Sequence, residues 1–126
     1  MLETSTARVS LFEPGIVLIE FREGVAVELQ HAAEIIAAAA KLSRGMRHGN
    51  IVDVRKLRYM SKDSRDLFAR QESSTVSAVA VLAKSSLQRS LGNVYLSVSR
   101  PRIPSRLFSN EHDAAAWIRA QNNQRQ

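Results

Sequence analysis

Residues 76–83 read VSAVAVLA, and this stretch decides the fold of the chain. Its side chains are small and almost all apolar, so neither side of an extended segment is suited to contact with water. That pattern is typical of a strand buried on both faces in the middle of a parallel sheet. Residues 16–21, IVLIEF, are also largely apolar on both faces and predict a second central strand.

Helical segments alternate with these strands along the chain. Pro14-Gly15 suits a tight turn, because Pro fixes φ and Gly tolerates positive φ, so the first two strands are predicted to form an antiparallel hairpin. The predicted strands are Arg8–Phe12, Ile16–Phe21, Asn50–Val54, Val76–Ala83 and Ile103–Phe108, and the predicted helices are Leu29–Ser43, one after Ser61, Leu87–Val98 and one from near Asn110. The order ββαβαβαβα predicts an α/β fold with four helices around a five-stranded, mixed and mostly parallel sheet.

Size and composition indicate one domain over residues 1–126, with a core of about 8–121 and a fraying tail. The chain has no cysteine, which excludes a disulfide framework and a thiolate nucleophile. Its start has neither a basic segment nor a long apolar run, so no signal peptide is expected. The longest apolar stretch, Ala32–Ala40, is interrupted by Glu34 and is far shorter than the roughly 20 residues of a membrane span. We therefore expect a cytoplasmic protein without a membrane span.

Positive charge is concentrated in the second part of the chain. The net charge is +6, and it divides into four basic and six acidic side chains in residues 1–46 (−2) and fourteen and six in residues 47–126 (+8). Such a skew permits an anionic partner, although a solvated basic surface is the leading explanation. The candidate anion contacts are Arg55, Lys56 and Arg58 after the third strand, and Arg100, Arg102 and Arg106 around the start of the last. Because these two zones lie at opposite edges of a parallel sheet, we expect no specific nucleic-acid recognition.

Three local features accompany the predicted order of elements. They are the strand-borne aspartate in Asn50-Ile51-Val52-Asp53-Val54, the helix start Ser61-Lys62-Asp63-Ser64, and the closing segment Asn110–Ile118, which reads NEHDAAAWI. With this order, they resemble the STAS-like domains: the SpoIIAA-like anti-sigma-factor antagonists, their uncharacterised bacterial members and the broader SEC14-like relatives. The resemblance covers roughly Arg8–Gln121 and implies a SpoIIAA-like fold.

The resemblance also implies a regulatory role. In the antagonists, a serine at the start of the helix after the third strand is phosphorylated by a partner kinase, and this switches partner binding. The present chain has Ser61-Lys62-Asp63-Ser64-Arg65 there, without the adjacent serine pair and the glycine of the antagonist sequence. The implied partner or switch surface comprises Ser61, Asp63, Ser64, Arg65 and Asp53.

The chain shows no arrangement for catalysis. His31, His48 and His112 have no metal-ligand spacing and are interpreted as solvated or incidental. The glycines and serines form no nucleophile elbow, Walker loop or dinucleotide fingerprint. Asp53 ends a central strand, where ligand sites often lie, but pairing with Arg55 or with a helix N-terminus is the interpretation we favour. We therefore expect no enzymatic activity, no cofactor and no metal.

Three functional hypotheses remain from the sequence, and the third in rank is a weak nucleic-acid binder, which only the charge suggests. The first is a non-catalytic STAS-like regulatory module that binds another protein, with a homodimer as a further form. The alternative, implied by the SEC14-like kinship, is a domain that binds a small ligand or a lipid headgroup.

Overall fold

The computed structural model describes residues 1–71 and 75–124, and within them eight strands and four α-helices alternate. In chain order they are β1 (Leu2–Glu3), β2 (Ala7–Glu13), β3 (Ile16–Phe21), β4 (Ala26–Val27), α1 (Leu29–Leu42), β5 (His48–Asp53), β6 (Tyr59–Met60), α2 (Lys62–Ala69), β7 (Val76–Leu82), α3 (Ser86–Val94), β8 (Ser105–Phe108) and α4 (Glu111–Gln124). A π-helical turn, Tyr95–Ser99, continues α3.

Six of these strands form the main sheet, in the order β1-β2-β3-β5-β7-β8. The strands β3, β5, β7 and β8 are mutually parallel, whereas β2 pairs antiparallel with both β1 and β3. The remaining two, β4 and β6, form a separate two-stranded parallel ribbon. The predicted α/β class, mixed sheet and four helices are thus confirmed.

The predicted count of five strands is wrong, because the sequence pattern did not indicate three short strands. β1 adds a sixth strand to the main sheet by pairing Leu2 with Val9, and β4 and β6 make the second sheet. Each of these strands has only two residues, which is too short for an alternation of apolar and polar side chains to appear.

The helix after β7 also differs from its prediction. It is α-helical only over Ser86–Val94 and then widens into the π-helical turn. The apolar spacing that predicted this helix used Leu91, Val94 and Val98, whose side chains lie outside the described part of the structure. At the other end of the chain, α4 runs to Gln124, and residues 125–126 lie outside the description.

The core has two parts, one on each face of the sheet. On one face, α1 and α2 cover the strands, and on the other α4 packs over β5 and β7. Strand β7 is buried along its whole length, with Val79 and Val81 in the first part and Ala78, Ala80 and Leu82 in the second. Because the side chains of these alanines are small, α4 can lie close to β7. Gly49 of β5 is as tightly covered, since a Cβ there would collide with Ile118 of α4.

Candidate ligand pocket

A cavity of about 260 Å³ lies between α2, α3 and the sheet. Its floor consists of Val52 of β5 and of Val79 and Val81 of β7, which point to the same face because side chains alternate along a strand. Phe68 of α2 forms part of one wall, and Gly92 of α3 part of the opposite one. The lining is predominantly apolar, so the cavity favours a ligand with carbon groups.

The space between α2 and α3 follows from how each helix packs. α2 packs against the π-helical turn, whereas α3 packs against β8. Gly92 brings α3 close to β8, since a Cβ at this position would meet the side chain of Leu107. The gap that remains beside α2 is roofed by the segment between β5 and α2, which contributes Val54, Leu57 and Met60.

Two arginines bring positive charge to the lining. Arg65 Nη1 donates to the carbonyl oxygen of Met60 at 2.7 Å, while Arg65 Nε is buried and has no hydrogen-bond partner among the described residues. Arg58 Nε donates to the carbonyl oxygen of Gly24 at 3.2 Å. Within residues 1–71 and 75–124, no carboxylate forms a salt bridge with either guanidinium.

Tyr95 contributes a phenol to the same cavity from the π-helical turn. Burial raises the pKa of Tyr95 above its ordinary value, because the charged phenolate would lose contact with water. The hydroxyl group is therefore protonated at neutral pH and available as a neutral hydrogen-bonding group.

Gln88 closes the end of the cavity at the start of α3. Its Oε1 accepts from the backbone N–H groups of Lys84 and Ser85 at 2.8 and 3.3 Å, and Ser85 Oγ accepts from the N–H of Gln88 at 3.1 Å. This reciprocal arrangement is the capping box that the sequence Ser85-Ser86-Leu87-Gln88 predicts. The Nε2 of Gln88 also donates to the carbonyl oxygen of Arg55 at 2.7 Å, which ties α3 to the segment after β5.

The serines of the predicted switch surface have structural roles. Ser61 is the N-cap of α2 and accepts a hydrogen bond from the backbone N–H of Ser64, as expected for a cap. Ser64 is fully buried, and its Oγ donates to the carbonyl oxygen of Val27 in β4 at 3.0 Å. Its inclusion in an exposed surface is corrected accordingly. Asp63 is exposed in the first turn, and Arg65 lines the cavity.

Asp53 pairs with Arg55, which confirms the structural interpretation of this aspartate. Arg55 donates from Nε and Nη2 to the two carboxylate oxygens at 2.9 and 2.8 Å, and from Nη2 to Glu111 of α4 at 2.6 Å. The two carboxylates raise the pKa of Arg55 above its ordinary value, chiefly through the hydrogen bonds that Arg55 donates to Asp53. Arg55 is thus neutralised and contributes little to the first basic zone.

The other candidate anion contacts lie as far apart as the sequence predicts. Lys56 and Arg58 are exposed after the C-terminal end of β5, and Arg100, Arg102 and Arg106 are exposed around the N-terminal end of β8. In the second group, Arg106 lies over the ring of Phe108 at 5.5 Å, and the backbone N–H of Arg102 donates to the carbonyl oxygen of Ala69.

The interpretation of all three histidines as solvated or incidental is wrong for His48. This residue begins β5, is only 2% exposed, and its Nδ1 contacts the carbonyl oxygen of Met46 at 3.0 Å. Its Nε2 is buried without a hydrogen-bond partner in the described residues, and burial lowers the pKa of His48.

His31 accepts from the backbone N–H of Glu28 at the start of α1. Within the described residues, no three His, Asp or Glu side chains come together as a metal site.

Sequence reasoning located Arg58 and Arg65 but did not connect them through a cavity. The capping box identified Gln88, and the helical spacing included Tyr95, yet neither signal indicates a pocket. A pocket arises where packing is incomplete, and that depends on the relative placement of α2 and α3.

The strand order and the four helices define an α/β domain with a mixed sheet. An uncharacterised protein of the DUF3478 family with a SpoIIAA-like fold, from Shewanella loihica PV-4, superposes with a TM-score of 0.59, covering 94% of this chain and 98% of that one at 13% identity. A protein of unknown function from Arthrobacter sp. FB24 is 24% identical over 94% of this chain and 96% of its own, with a TM-score of 0.35. The predicted SpoIIAA-like resemblance is confirmed at the level of the fold.

The sequence model described as Domain of unknown function (DUF7793) matches residues 10–122, so the chain belongs to that family. No curated protein matches the chain. None of the helices in the described residues is long and apolar enough to cross a membrane.

Proposed function

We propose that this protein is a non-catalytic binding module whose pocket between α2 and α3 takes one small, mainly apolar molecule. The observation that carries the proposal is the cavity of about 260 Å³ with its valine and phenylalanine lining. An apolar cavity of about 150 Å³ accommodates benzene, and pockets for drug-sized ligands begin at about 300 Å³. The ligand expected here is therefore larger than benzene and smaller than a typical drug.

Binding without turnover is supported by the chemistry of the polar groups in the lining. They are guanidinium, phenol and amide groups, which donate hydrogen bonds and orient a ligand. At neutral pH none of these three groups is a ready proton acceptor or nucleophile. We place this activity in the cytoplasm, in keeping with a chain that has no cysteine.

A second candidate function is regulation through another protein, at the same end of the sheet. The supporting observation is that three large apolar side chains near the starts of the helices are exposed: Leu29 to 46%, Tyr59 to 50% and Leu87 to 72%. Exposed apolar groups of this kind suit a protein interface when they lie close together. Tyr59 also lines the pocket, so a bound ligand would alter the surface offered to a partner.

The pocket function is tested with a neutral probe, 1-octanol, added to the full chain while backbone amide resonances are recorded. Shifts are expected in β5, β7, α2 and α3 and not in α4. Val54→Phe should fill the rim of the cavity and weaken the binding of 1-octanol at least tenfold. Leu18→Phe is the matched control, because Leu18 packs against the α4 side of the sheet. Equal binding of 1-octanol by Val54→Phe and the wild type contradicts the proposal, and so does the absence of binding both by 1-octanol and by charged molecules of the same chain length.

A further inference from the structure

Arg65 carries an unusual buried donor beside an apolar space. Its Nη1 is already committed to the carbonyl oxygen of Met60, and its Nε is buried without an acceptor in the described residues. A buried N–H that makes no hydrogen bond costs free energy, because contact with water is lost and nothing replaces it. Arg65 also lines the cavity, so a bound group with an acceptor would lie beside a cationic side chain.

The charge of the pocket differs from that of the arginine sites in this molecule that are neutralised by carboxylates. Arg55 pairs with Asp53 and Glu111, and Arg119 pairs with Glu13. Arg58 and Arg65, the two arginines of the lining, have no such carboxylate among the described residues. Asp66 is the acidic neighbour of Arg65 in the chain. Its carboxylate is bound by Lys62 at 2.8 Å, which is the main cause of the lowered pKa of Asp66, and the charge of Arg65 adds a smaller contribution.

Apolar lining and unpaired positive charge together restrict the ligand. A cation would be repelled by the two guanidinium groups, and a neutral molecule would leave both positive charges without a counter-ion. A nucleotide or sugar phosphate would place polar surface against Val52, Val79, Val81 and Phe68. An acidic group on a short carbon chain or single ring satisfies both parts of the site.

We propose that the ligand is a small amphiphilic anion, a free carboxylic acid with a short chain or one ring, whose carboxylate binds Arg65 and Arg58 while its carbon part occupies the cavity. The inference rests on the proposed function of the pocket and names its ligand class. Arg65 supplies a planar set of N–H donors, which matches the two oxygens of a carboxylate. Tyr95, whose hydroxyl group remains protonated, is a further donor at the lining.

Three probes of equal chain length separate charge from apolar contact: octanoate, 1-octanol and octylammonium. Each is titrated into the full chain by calorimetry. Octanoate is expected to bind at least tenfold more tightly than 1-octanol, and octylammonium more weakly than either. If 1-octanol binds as tightly as octanoate, the inference is wrong while the pocket function stands. If none of the three binds, the pocket function itself fails.

Variants test the role of each arginine. Arg65→Gln should remove most of the preference for octanoate over 1-octanol, and Arg58→Gln should reduce it. Arg106→Gln, in the basic zone at the opposite edge of the sheet, should leave the preference unchanged. Thermal melting establishes that each variant is folded. If Arg65→Gln does not fold, Arg58→Gln and the salt dependence of octanoate binding provide the test. A folded Arg65→Gln with the full preference overturns the inference.

A lipid headgroup offers similar anionic chemistry, so vesicles of phosphatidylglycerol form the last arm. The full chain is expected to remain in the supernatant when these vesicles are sedimented at physiological salt. Sedimentation with the vesicles, together with no binding of octanoate, would assign the site to a membrane lipid and overturn the inference of a free acid.

Discussion

The side-chain amide of Gln88 donates to the carbonyl oxygen of Arg55 across 2.7 Å, and this contact spans 33 positions of the chain. Through it, the N-terminus of α3 is held against the segment that follows β5. Gln88 lines the pocket, so this hydrogen bond ties α3 to the sheet at the end of the cavity.

Gln88→Glu separates the two roles of this side chain. The glutamate keeps an acceptor for the N–H groups of Lys84 and Ser85, but it has no donor for the carbonyl oxygen of Arg55. We expect the free energy of unfolding to fall by about 1 kcal/mol, the ordinary contribution of one hydrogen bond. Hydrogen exchange in α3 should accelerate more than in α1. Unchanged exchange in α3 would show that the contact does not restrain the helix.

Replacement by aspartate is expected to change the stability of the protein much less at Ser61 than at Ser64. Asp caps a helix as well as Ser does, but Ser61 Oγ also lies 2.8 Å from Ser64 Oγ, whose proton goes to Val27. An aspartate would lose that one donated hydrogen bond, so Ser61→Asp should lower the free energy of unfolding by about 1 kcal/mol. Ser64→Asp would place a carboxylate in a fully buried position and remove the donor to Val27, which should cost more than about 3 kcal/mol. Denaturant unfolding measures both. Equal stability of the two variants would mean that Ser64 is accessible to solvent.

A charge-based switch at this helix is therefore testable only at Ser61. A phosphate there would meet the free N–H groups at the start of α2. If a protein partner is identified, Ser61→Asp should change its affinity by about 1 kcal/mol or more, and Ser61→Ala, which adds no charge, is the matched control. Unchanged affinity for Ser61→Asp would remove the analogy with the antagonists.

His48 is expected to make stability depend on pH. Burial lowers the pKa of His48 in the folded state below the value of about 6.5 in an unfolded chain. Between those two values the unfolded chain binds a proton that the folded chain does not, so the free energy of unfolding falls as the pH drops through this window. The contribution is complete above about pH 6.5. His48→Gln should flatten this part of the stability curve, whereas His112→Gln, at an exposed position, should not. Equal curves for His48→Gln and the wild type would contradict the assignment.

Polyanions are expected to bind weakly and without sequence preference. Arg55 is paired, and the remaining candidate contacts are divided between opposite edges of the sheet, so about three phosphates could be contacted at once. With three contacts, the logarithm of affinity should fall against the logarithm of salt with a slope of about −3. Titration of a duplex and a single strand at two salt concentrations measures this slope. Tight binding at physiological salt that distinguishes sequences would contradict it.

The sequence predicted those parts of the molecule that have a local signal. The unbroken apolar run of β7, the turn at Pro14-Gly15 and the capping box at Gln88 each carry their own chemistry, and each appears where expected. The pairing of Asp53 with Arg55 could be predicted for the same reason, because the two residues lie only two positions apart in the chain.

What the sequence did not predict depends on distant parts of the chain. The burial of Ser64 is caused by β4, which lies 37 residues earlier, and β4 is only two residues long. His48 is buried because it already belongs to a central strand rather than to the loop before it. The pocket exists because α2 and α3 pack against different elements, and the sequence of neither helix indicates which element it packs against.

The π-helical turn at Tyr95–Ser99 makes the orientation of the chain after α3 depend on the number of residues in the turn as well as on their composition. A π-helix closes its hydrogen bonds over one more residue than an α-helix does. Removing one residue from this segment would restore the spacing of an α-helix and rotate the positions that follow by about a quarter of a turn or more. Relatives of this chain that differ by one residue here would present different side chains beyond that point, even if the floor of valines were identical.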